Sequence, residues 1–429
     1  MEHTILFSAV GDVMPVRRIV RDSREMQELR ERLMGADVRM MNLEGTVVAD
    51  ADGVSPSAVS GGDWAGLKPA CLTDLEWLGF NAVCAANNHS MDFMHAGVEK
   101  TIQYLNRTEL VWGGIGTNLF EAQRPRYIET KGGRVAMICF TTTCKDWHRA
   151  GEQRRDMIGR PGVYQIRFEK IHNVSAEKLE MLRGIVQETD INQLRPGRSD
   201  GILKVGDELF REGAGGSFSR LLSSDAEELR ALIRQASYMA DVVVVSAHSH
   251  EFKGRDWHEP ADFQTELARF CIDQGADAYV GHGPHVLRGV EIYKNKPIFY
   301  SLGDFFYPCE QFDRAPQEFY DRFGGLGQKA GTYEGYTYRL ENGGMFGVLN
   351  EDCYIGALAE FSFTGKKLGE INLVPYELQF SYNGPQKGMP IRAHGEKALR
   401  ILRQLQKLSE GYHTEINIDD QNEIGRVLL

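Results

Sequence analysis

The chain has 429 residues, 42% hydrophobic and 25% charged, which is typical of a globular protein with one large core or two domains. Its net charge of −11 argues against a nucleic-acid partner, because phosphate binding needs a basic surface. No stretch approaches the roughly 18 apolar residues of a membrane span, and the first apolar run, Ile5–Val10, is too short for a signal peptide. We therefore expect a cytoplasmic protein without a membrane anchor.

Short apolar runs along the chain predict buried β-strands. They lie at Thr4–Val10, Val38–Leu43, Ala82–Ala86, Val135–Phe140, Asp241–Ser246 and Ala278–Val280. Ser224–Glu227 resembles a capping box and is followed by apolar residues at helical spacing. The same spacing predicts a second helix that opens at Pro69 and includes Leu72–Leu78, and a third over Phe263–Cys271. Strands that alternate with helices predict an α/β fold.

The pattern changes after His285. Val286–Tyr293 and Pro297–Leu302 flank Lys294-Asn295-Lys296, which predicts a hairpin. Further strands are expected at Ile355–Phe363 and Glu370–Tyr376, and a helix at Glu396–Leu408. Two polar, weakly periodic stretches, Ala150–Gly216 and Gln311–Gly344, are interpreted as irregular insertions over the active face or, alternatively, as plain surface loops.

Cysteine usage indicates free thiols. The seven cysteines form no CxxC pair, and several lie in apolar runs, so we expect buried thiols in a reducing compartment and no thiolate zinc site. They are Cys71, Cys84, Cys139, Cys144, Cys271, Cys309 and Cys353.

Polar residues of the kinds that bind metals follow five of the apolar runs. The segments are Gly11-Asp12, Asn42-Leu43-Glu44, Asn87 to Asp92, His248 to Glu251, and Gly281 to His285. In an open α/β sheet the carboxyl ends of parallel strands share one edge, where ligands bind. Carboxylate, amide oxygen and imidazole together suit one or two divalent ions such as Mn, Zn, Fe or Mg.

Each segment taken alone has a plainer interpretation. Asp12 could be a turn residue or helix cap, Glu44 a surface glutamate, and Asn87-Asn88 a turn pair. His248 could be a hydrogen-bonded edge histidine, and His282 and His285 could belong to a simple loop. The convergence of five such segments is what favours a metal site.

The order of motifs resembles a known family. Gly-Asp-Val-Met, Asn-Leu-Glu-Gly and Ala-Asn-Asn-His-Ser-Met-Asp are followed by Gly-His-Gly-Pro-His-Val-Leu-Arg-Gly-Val-Glu-Ile-Tyr and Lys-Pro-Ile-Phe-Tyr-Ser-Leu-Gly-Asp-Phe. These motifs are similar to those of the bacterial poly-γ-glutamate capsule-synthesis family (CapA-type, PGA_cap), which is related to calcineurin-like metallophosphoesterases. The resemblance covers about residues 4–140 and 236–310.

The resemblance implies a metallophosphoesterase-like layered sheet sandwich with helices on its outer faces. It implies one domain over residues 1–385, with insertions at about 150–216 and 311–344, and a C-terminal helix and tail, residues 386–429, packed on the same domain.

It also implies roles for individual residues. Asp12, Glu44 and His285 would bind the first metal ion, and Glu44 would bridge to a second ion held by Asn88, His248 and His282. His89 would be the general acid, oriented by Asp92. Asn87 and His250 are candidates for substrate contact, although His250 could also be a spare ligand or have no catalytic role.

Two positions depart from the metallophosphoesterase pattern. Met14 stands where those enzymes have a histidine ligand, and a thioether is a poor ligand for a hard ion. The first metal site is therefore expected to be weaker than the second. In the last histidine motif, Gly283-Pro284 separates His282 from His285, which displaces the second histidine by one residue.

Three functions remain open at this point. The leading hypothesis is a soluble metal-dependent hydrolase acting on a phosphoester or an amide, γ-glutamyl amides included, of a small or oligomeric anionic substrate. The second is a non-hydrolytic component of poly-γ-glutamate or capsule synthesis. The third is an enzyme that forms amide bonds from a phosphate-activated acid.

Overall fold

The computed structural model describes residues 3–60, 62–194, 198, 200–308, 311–322, 326–342, 351–382 and 384–429. The strands are β1 (Thr4–Val13), β2 (Val38–Leu43), β3 (Thr46–Val47), β4 (Gly66–Leu67), β5 (Ala82–Cys84), β6 (Val111–Gly113), β7 (Ile115–Gly116), β8 (Arg126–Thr130), β9 (Gly133–Thr141), β10 (Gly162–Val163), β11 (Phe168–Val174), β12 (Leu203–Val205), β13 (Glu208–Glu212), β14 (Ser217–Leu221), β15 (Val242–His248), β16 (Phe252–Lys253), β17 (Asp256–Pro260), β18 (Ala278–His282), β19 (Val290–Tyr293), β20 (Lys296–Phe299), β21 (Asp304–Phe306), β22 (Ile355–Thr364), β23 (Lys367–Glu377), β24 (Ile391–Arg392), β25 (Ile416–Asp419) and β26 (Ile424–Val427). The helices are α1 (Arg24–Leu33), α2 (Leu72–Leu78), α3 (Met94–Leu105), α4 (Leu119–Gln123), α5 (Ala176–Glu188), α6 (Ser223–Met239), α7 (Asp262–Gln274), α8 (Gln317–Arg322), α9 (Thr332–Asn342) and α10 (Gly395–Ser409).

Two large mixed sheets lie at the centre of the fold. The larger has the order β25-β26-β23-β22-β1-β2-β5-β6, with β21 also paired to β1, and the smaller has the order β19-β20-β18-β15-β9-β8. In the larger sheet β1, β2, β5 and β6 run parallel. In the smaller sheet β9, β15, β18 and β20 run parallel. Each sheet therefore presents the carboxyl ends of its central strands along one edge.

The sheets pack face to face through apolar side chains, among them Phe7 and Met40 from one sheet and Val244 and Val280 from the other. Helices α1, α2 and α3 cover the outer face of the larger sheet, and α6 and α7 cover that of the smaller. Central strands are buried on both faces, which explains why β15 begins with four consecutive valines, Val242–Val245. This arrangement confirms the predicted α/β layered sandwich with helices on its outer faces.

Most predicted strands and helices are present, although their ends differ from the predicted ones, and the predicted capping box is wrong. Lys294 and Asn295 form the two-residue hairpin turn, with φ of 50° and 60°, the conformation that such turns require. Pro69 opens a short 3₁₀ turn that leads into α2. The capping box at Ser224 does not form, because α6 already begins at Ser223 and the Ser224 hydroxyl donates to the carboxylate of Asp225.

The two insertions contain regular structure, so the expectation of irregular loops is wrong. Residues 150–216 contain β10 to β13 and α5, and β11, β12 and β13 join β14 in a sheet of their own, while residues 195–197 and 199 lie outside the described part. Phe168 stacks on Phe263 of α7, with ring centroids 4.0 Å apart. Residues 311–344 contain α8 and α9; of these, residues 323–325, 343 and 344 are not described.

The C-terminal segment joins the central core. On α10, Ala398, Ile401 and Leu402 pack into the apolar layer between the sheets. After it, β25 and β26 extend the edge of the larger sheet next to β23. In the described part of the chain, no helix combines the length and apolarity needed to cross a membrane.

The cysteines whose positions are described are free thiols, as predicted. Five of them are buried and Cys144 is half-buried. Cys309 lies outside the described residues.

Candidate metal centre

The strand ends bring ligand-type side chains from both sheets to one place. Asp12 lies near the end of β1, Glu44 follows β2, and Asn88 lies in the turn after β5. His248 and His282 end β15 and β18, which are parallel neighbours with these two residues in register. Every residue that the sequence analysis singled out lies in or beside this cluster, and the roles assigned to those residues remain predictions.

Asp12 is completely buried and faces two histidines. Its Oδ1 lies 3.6 Å from Nδ1 of His248 and 3.7 Å from Nδ1 of His282. The same oxygen accepts a hydrogen bond from the side-chain amide of Asn42 at 2.7 Å, and Oδ2 accepts one from the backbone of Gly283 at 2.8 Å. Burial alone would raise the pKa of Asp12, but its contacts with the histidines hold that pKa well below its usual range.

Glu44 lies at the centre of the cluster. Its Oε1 is 3.8 Å from Nε2 of His285, 3.9 Å from Nε2 of His248 and 4.0 Å from Nε2 of His89. Both of its carboxylate oxygens are buried and accept no hydrogen bond from any described residue. Burial, with a smaller contribution from the charge of Asp12, raises the pKa of Glu44 to about 8. A buried carboxylate without partners is unfavourable unless a cation meets it.

Asn88 and His250 complete the imidazole-rich side of the cluster. Oδ1 of Asn88 is 2.7 Å from Nε2 of His248, and Nε2 of His250 is 3.0 Å from that same nitrogen. His250 is half-buried at the rim, whereas Asn88 and His248 are buried. Several donor atoms therefore point at one small volume, and carboxylate, amide and imidazole donors together fit a divalent metal ion.

His89 and Asp92 form a separate pair beside the carboxylate of Glu44. Nδ1 of His89 is 2.7 Å from Oδ2 of Asp92, and the backbone of Ala65 donates to the same oxygen at 2.7 Å. Burial disfavours the charged imidazole, but the charge of Asp92 and its hydrogen bond raise the pKa of His89 to about 9. The imidazole can therefore hold a proton on Nε2, the nitrogen that faces the cluster. A tight turn brings the two side chains together.

Asn87 is fully buried, and its amide serves the local backbone. Its Nδ2 donates to the carbonyl of Leu43 at 2.8 Å and to Oδ1 of Asn42 at 3.3 Å. Its Oδ1 accepts from the backbone of His89 at 3.1 Å and from the hydroxyl of Ser90 at 3.2 Å. These bonds shape the loop that carries His89, and the substrate contact of Asn87 remains a prediction.

The second insertion lies against the loop beside His89. Nη1 of Arg322, at the end of α8, donates to the carbonyl of Gly62 at 2.8 Å. Arg339 of α9 forms an ion pair with Asp63. The guanidinium of Arg322 also lies over the ring of Trp64, 5.1 Å from its centroid. The α8–α9 segment thus borders the cluster on the His89 side.

Asp304 is a member of the cluster that the sequence analysis did not predict. It begins β21, is fully buried, and its Oδ1 is 2.9 Å from Nδ1 of His285. One ligand atom each from Asp12, Glu44, His285 and Asp304 lie within 4.8 Å of one another. The signal was present in the sequence, because Gly303-Asp304 follows an apolar run as Gly11-Asp12 does.

Comparison with known proteins places this cluster in a family context. Residues 6–308, a range that contains the whole cluster, match the family described as bacterial capsule synthesis protein PGA_cap. Two uncharacterized proteins of Sinorhizobium fredii, y4sH and y4uA, are each 34% identical over 96% of this chain and 91% of their own length.

Other matches are shorter or more distant. The PGA biosynthesis protein CapA of Bacillus subtilis is 44% identical over 86 residues, which is 20% of this chain and 22% of that protein. The match to a crystal structure of a hypothetical protein from Thermus thermophilus covers 87% of this chain and 99% of that one, at 13% identity and a TM-score of 0.40. By the family match and the full-length relatives, the chain belongs to the PGA_cap family of bacterial capsule synthesis proteins.

Proposed function

We propose that the protein is a metal-dependent hydrolase that cleaves a phosphoester or an amide bond, γ-glutamyl amides included, of an anionic substrate. The observation that carries this proposal is the carboxylate of Glu44. It is fully buried, has no hydrogen-bond partner among the described residues, and is ringed by imidazoles at 3.8–4.0 Å. Such a group has no structural use, and it suits a bridging position between two cations.

The donors would divide between two ions, with Glu44 shared by both. Asp12 and His285 would hold the first ion; Asn88, His248 and His282 would hold the second. The set of donors suits Mn, Zn, Fe or Mg. When bound, such ions would supply Lewis acidity and lower the pKa of a coordinated water. They would also attract an anionic substrate to a protein whose net charge is −11.

His89 supplies the proton for the leaving group in this proposal. Its Nε2 faces Glu44, while its Nδ1 is held by Asp92, so the ring has one fixed orientation and one nitrogen free to donate. The pKa of about 9 keeps the imidazole protonated at neutral pH in the metal-free protein. A positioned acid of this kind is worth roughly 10²–10⁴-fold in rate.

A second function is favoured by the names of relatives. The Bacillus subtilis match is called a PGA biosynthesis protein, and a Mycobacterium tuberculosis match, 25% identical over 62% of this chain, is called a probable polyglutamine synthesis accessory protein. A non-hydrolytic component of polymer synthesis would use the same cluster to bind a polyanion. Amide-bond formation from a phosphate-activated acid is the third possibility.

Metal analysis combined with turnover assays separates these functions. The purified protein is analysed for bound metals and is then assayed with bis(p-nitrophenyl) phosphate, γ-glutamyl p-nitroanilide and poly-γ-glutamate. Bound metal with turnover that chelation abolishes and the metal restores supports the hydrolase. Metal-dependent polymer binding without any turnover supports the second function, and amide formation that needs ATP supports the third. Glu44→Gln is the control, because it removes the proposed bridge.

A further inference from the structure

Strand β21 brings Asp304 next to Asp12 through an unusually close backbone approach. Asp12 and Asp304 are partners in the parallel pairing of β1 with β21, and the amide of Asp12 donates to the carbonyl of Gly303 at 3.2 Å. A Cβ on Gly11 would lie 1.8 Å from that carbonyl oxygen, and Gly303 has a φ of +72°. Glycine is therefore required at both positions, and the fold uses it to place a second aspartate at the end of β1.

The carboxylate of Asp304 is only half satisfied by the protein. Its side chain is fully buried, and Oδ1 accepts from Nδ1 of His285 at 2.9 Å. Its Oδ2 is buried and has no hydrogen-bond partner among the described residues. Together with the two partnerless oxygens of Glu44, this atom marks a polar space that the chain leaves for a positively charged group.

Met14 does not contribute to that space as a polar donor. Its side chain is 2% exposed and belongs to the same apolar layer as Phe305 and Phe306. The residue that precedes this pair of phenylalanines is Asp304, and the backbone amide of Met14 donates to the carbonyl of Phe306 at 2.9 Å. The carboxylate of Asp304 thus enters the cluster beside the strand end where the histidine ligand is missing.

We infer that Asp304 is a ligand of the first metal ion and supplies the donor that Met14 lacks; this rests on the metal site of the proposed function. The first site is then rich in oxygen, with Asp12, Glu44 and Asp304 joined by a single imidazole. The second site has two imidazoles and an amide in addition to the shared Glu44. Hard ions such as Mn²⁺ or Mg²⁺ prefer the first set of donors, and Zn²⁺ is suited to the second. The first site is consequently not the weak one that Met14 alone predicts.

A competing role for Asp304 is to orient His285 without touching an ion. Metal-bound histidines commonly donate their second ring nitrogen to a carboxylate, and loss of that partner weakens metal binding by about 10–100-fold. Asp304→Asn distinguishes the two roles, because an asparagine keeps an oxygen that can accept from Nδ1 of His285 but loses the negative charge. An orienting role therefore predicts a small effect of this substitution, and a ligand role predicts a large one.

The experiment uses the full chain, stripped of metal and titrated with Mn²⁺ against a chelator. The parent protein should bind two Mn²⁺ ions. Asp304→Asn should bind one ion with parental affinity and the other more than about 100-fold more weakly, beyond the range for a lost orienting partner, or not at all. Asp277→Asn is the matched control, since Asp277 is a buried aspartate at the opposite end of β18 from His282 and pairs with Lys296 and Lys366. It should bind two ions as the parent does.

A crystal structure of the Mn²⁺-loaded parent gives an independent measurement. Anomalous scattering should place an ion about 2.2 Å from Oδ2 of Asp304, the usual distance for an oxygen ligand on an ion of this size. Two ions bound by Asp304→Asn with affinities within about tenfold of the parent, the orienting outcome, would overturn the inference and leave the proposed function standing. A parent protein that binds no Mn²⁺ and no other divalent ion would overturn both.

Discussion

Two carboxylates in this protein, Asp74 and Glu44, are both buried, but among the described residues only Asp74 has hydrogen-bond partners. Asp74 on α2 accepts hydrogen bonds from Nε and Nη2 of Arg18, from Nε of Arg21 and from the backbone of Ile19, at 2.5–3.1 Å. Glu44 accepts none from any described residue. Burial opposes ionisation of both groups, yet the pKa of Asp74 is lowered by its partners, whereas the pKa of Glu44 is raised to about 8.

The difference separates a structural carboxylate from one kept for a ligand. A buried polar group without a partner is unfavourable by about 1–3 kcal/mol, and by more when it is charged. The chain avoids that penalty at Asp74 by bringing in two arginines and a backbone amide. It does not avoid that penalty at Glu44, because the nearby side-chain amides of Asn42 and Asn87 donate to other acceptors. The partner of Glu44 is therefore expected from outside the chain.

The largest expected effect is the loss of metal and activity on Glu44→Gln. Removal of the shared ligand should release the bound ions, and the loss of several kcal/mol of transition-state stabilisation lowers turnover by about 10³-fold or more. Elemental analysis and the rate with bis(p-nitrophenyl) phosphate measure the two consequences. Asp74→Asn is the matched substitution at the other carboxylate and should keep both metal and rate. If Glu44→Gln retained its metal, Glu44 would be a second structural carboxylate and the comparison would fail.

The next effect separates acid catalysis from metal binding. His89→Ala should keep its metal and lose kcat by roughly 10²–10⁴-fold, because His89 is held by Asp92 and not by the ligand set. His282→Ala, which removes a proposed ligand, should lose metal and rate together. The measurements are metal content and kcat for both variants. A metal-loaded His89→Ala enzyme with nearly parental kcat would leave His89 with a purely structural role.

A smaller effect is expected on the free energy of unfolding. Here the substitution of Asp74, and not that of Glu44, should be the destabilising one. Asp74→Asn should lower the free energy of unfolding by about 1.5–3 kcal/mol, the range for hydrogen bonds to charged groups, with the lower part favoured because Arg18 and Arg21 are partly exposed. Glu44→Gln should make the metal-free protein more stable than the parent at neutral pH, because the raised pKa of Glu44 shows that the folded state disfavours its ionised form. Urea unfolding of the metal-free proteins measures both. A larger loss for Glu44→Gln would contradict the distinction between them.

Elements that depend on local sequence patterns could be predicted from the sequence. The hairpin at Lys294-Asn295 follows from turn preferences, and the buried strands follow from unbroken apolar runs such as Val242–Val245. The ends of these strands then indicated most of the cluster. The sequence was also sufficient to identify the family, since the motifs that it shares lie within the matched range.

Features that depend on the pairing of distant strands could not be predicted from the sequence. Asp304 joins the cluster because β21 pairs with β1, and the local Gly303-Asp304 pattern does not by itself predict this pairing. The sheet of β11 to β14 was missed because its strands, such as Glu208–Glu212, are half-exposed and polar, without a regular alternation. The hydrogen bonds by which Asn87 holds the loop of His89 were likewise not indicated by the sequence.

The smallest expected effect is a pH dependence that belongs to Asp74. The folded pKa of Asp74 lies below its ordinary value, so the folded state favours the ionised form more than the unfolded state does. Its contribution to stability is fully present above the unfolded pKa of about 3.9 and is lost as the pH falls through the lower folded pKa. The difference in unfolding free energy between the parent and Asp74→Asn should therefore be constant from about pH 6 to pH 8 and shrink below about pH 4. Urea unfolding of the two metal-free proteins across this range measures it, with Glu44→Gln as the control for the other carboxylate. A difference that stayed constant to the acid limit would mean that Asp74 is stabilised no more by its arginines than it would be by water, and the contrast with Glu44 would then rest on geometry alone.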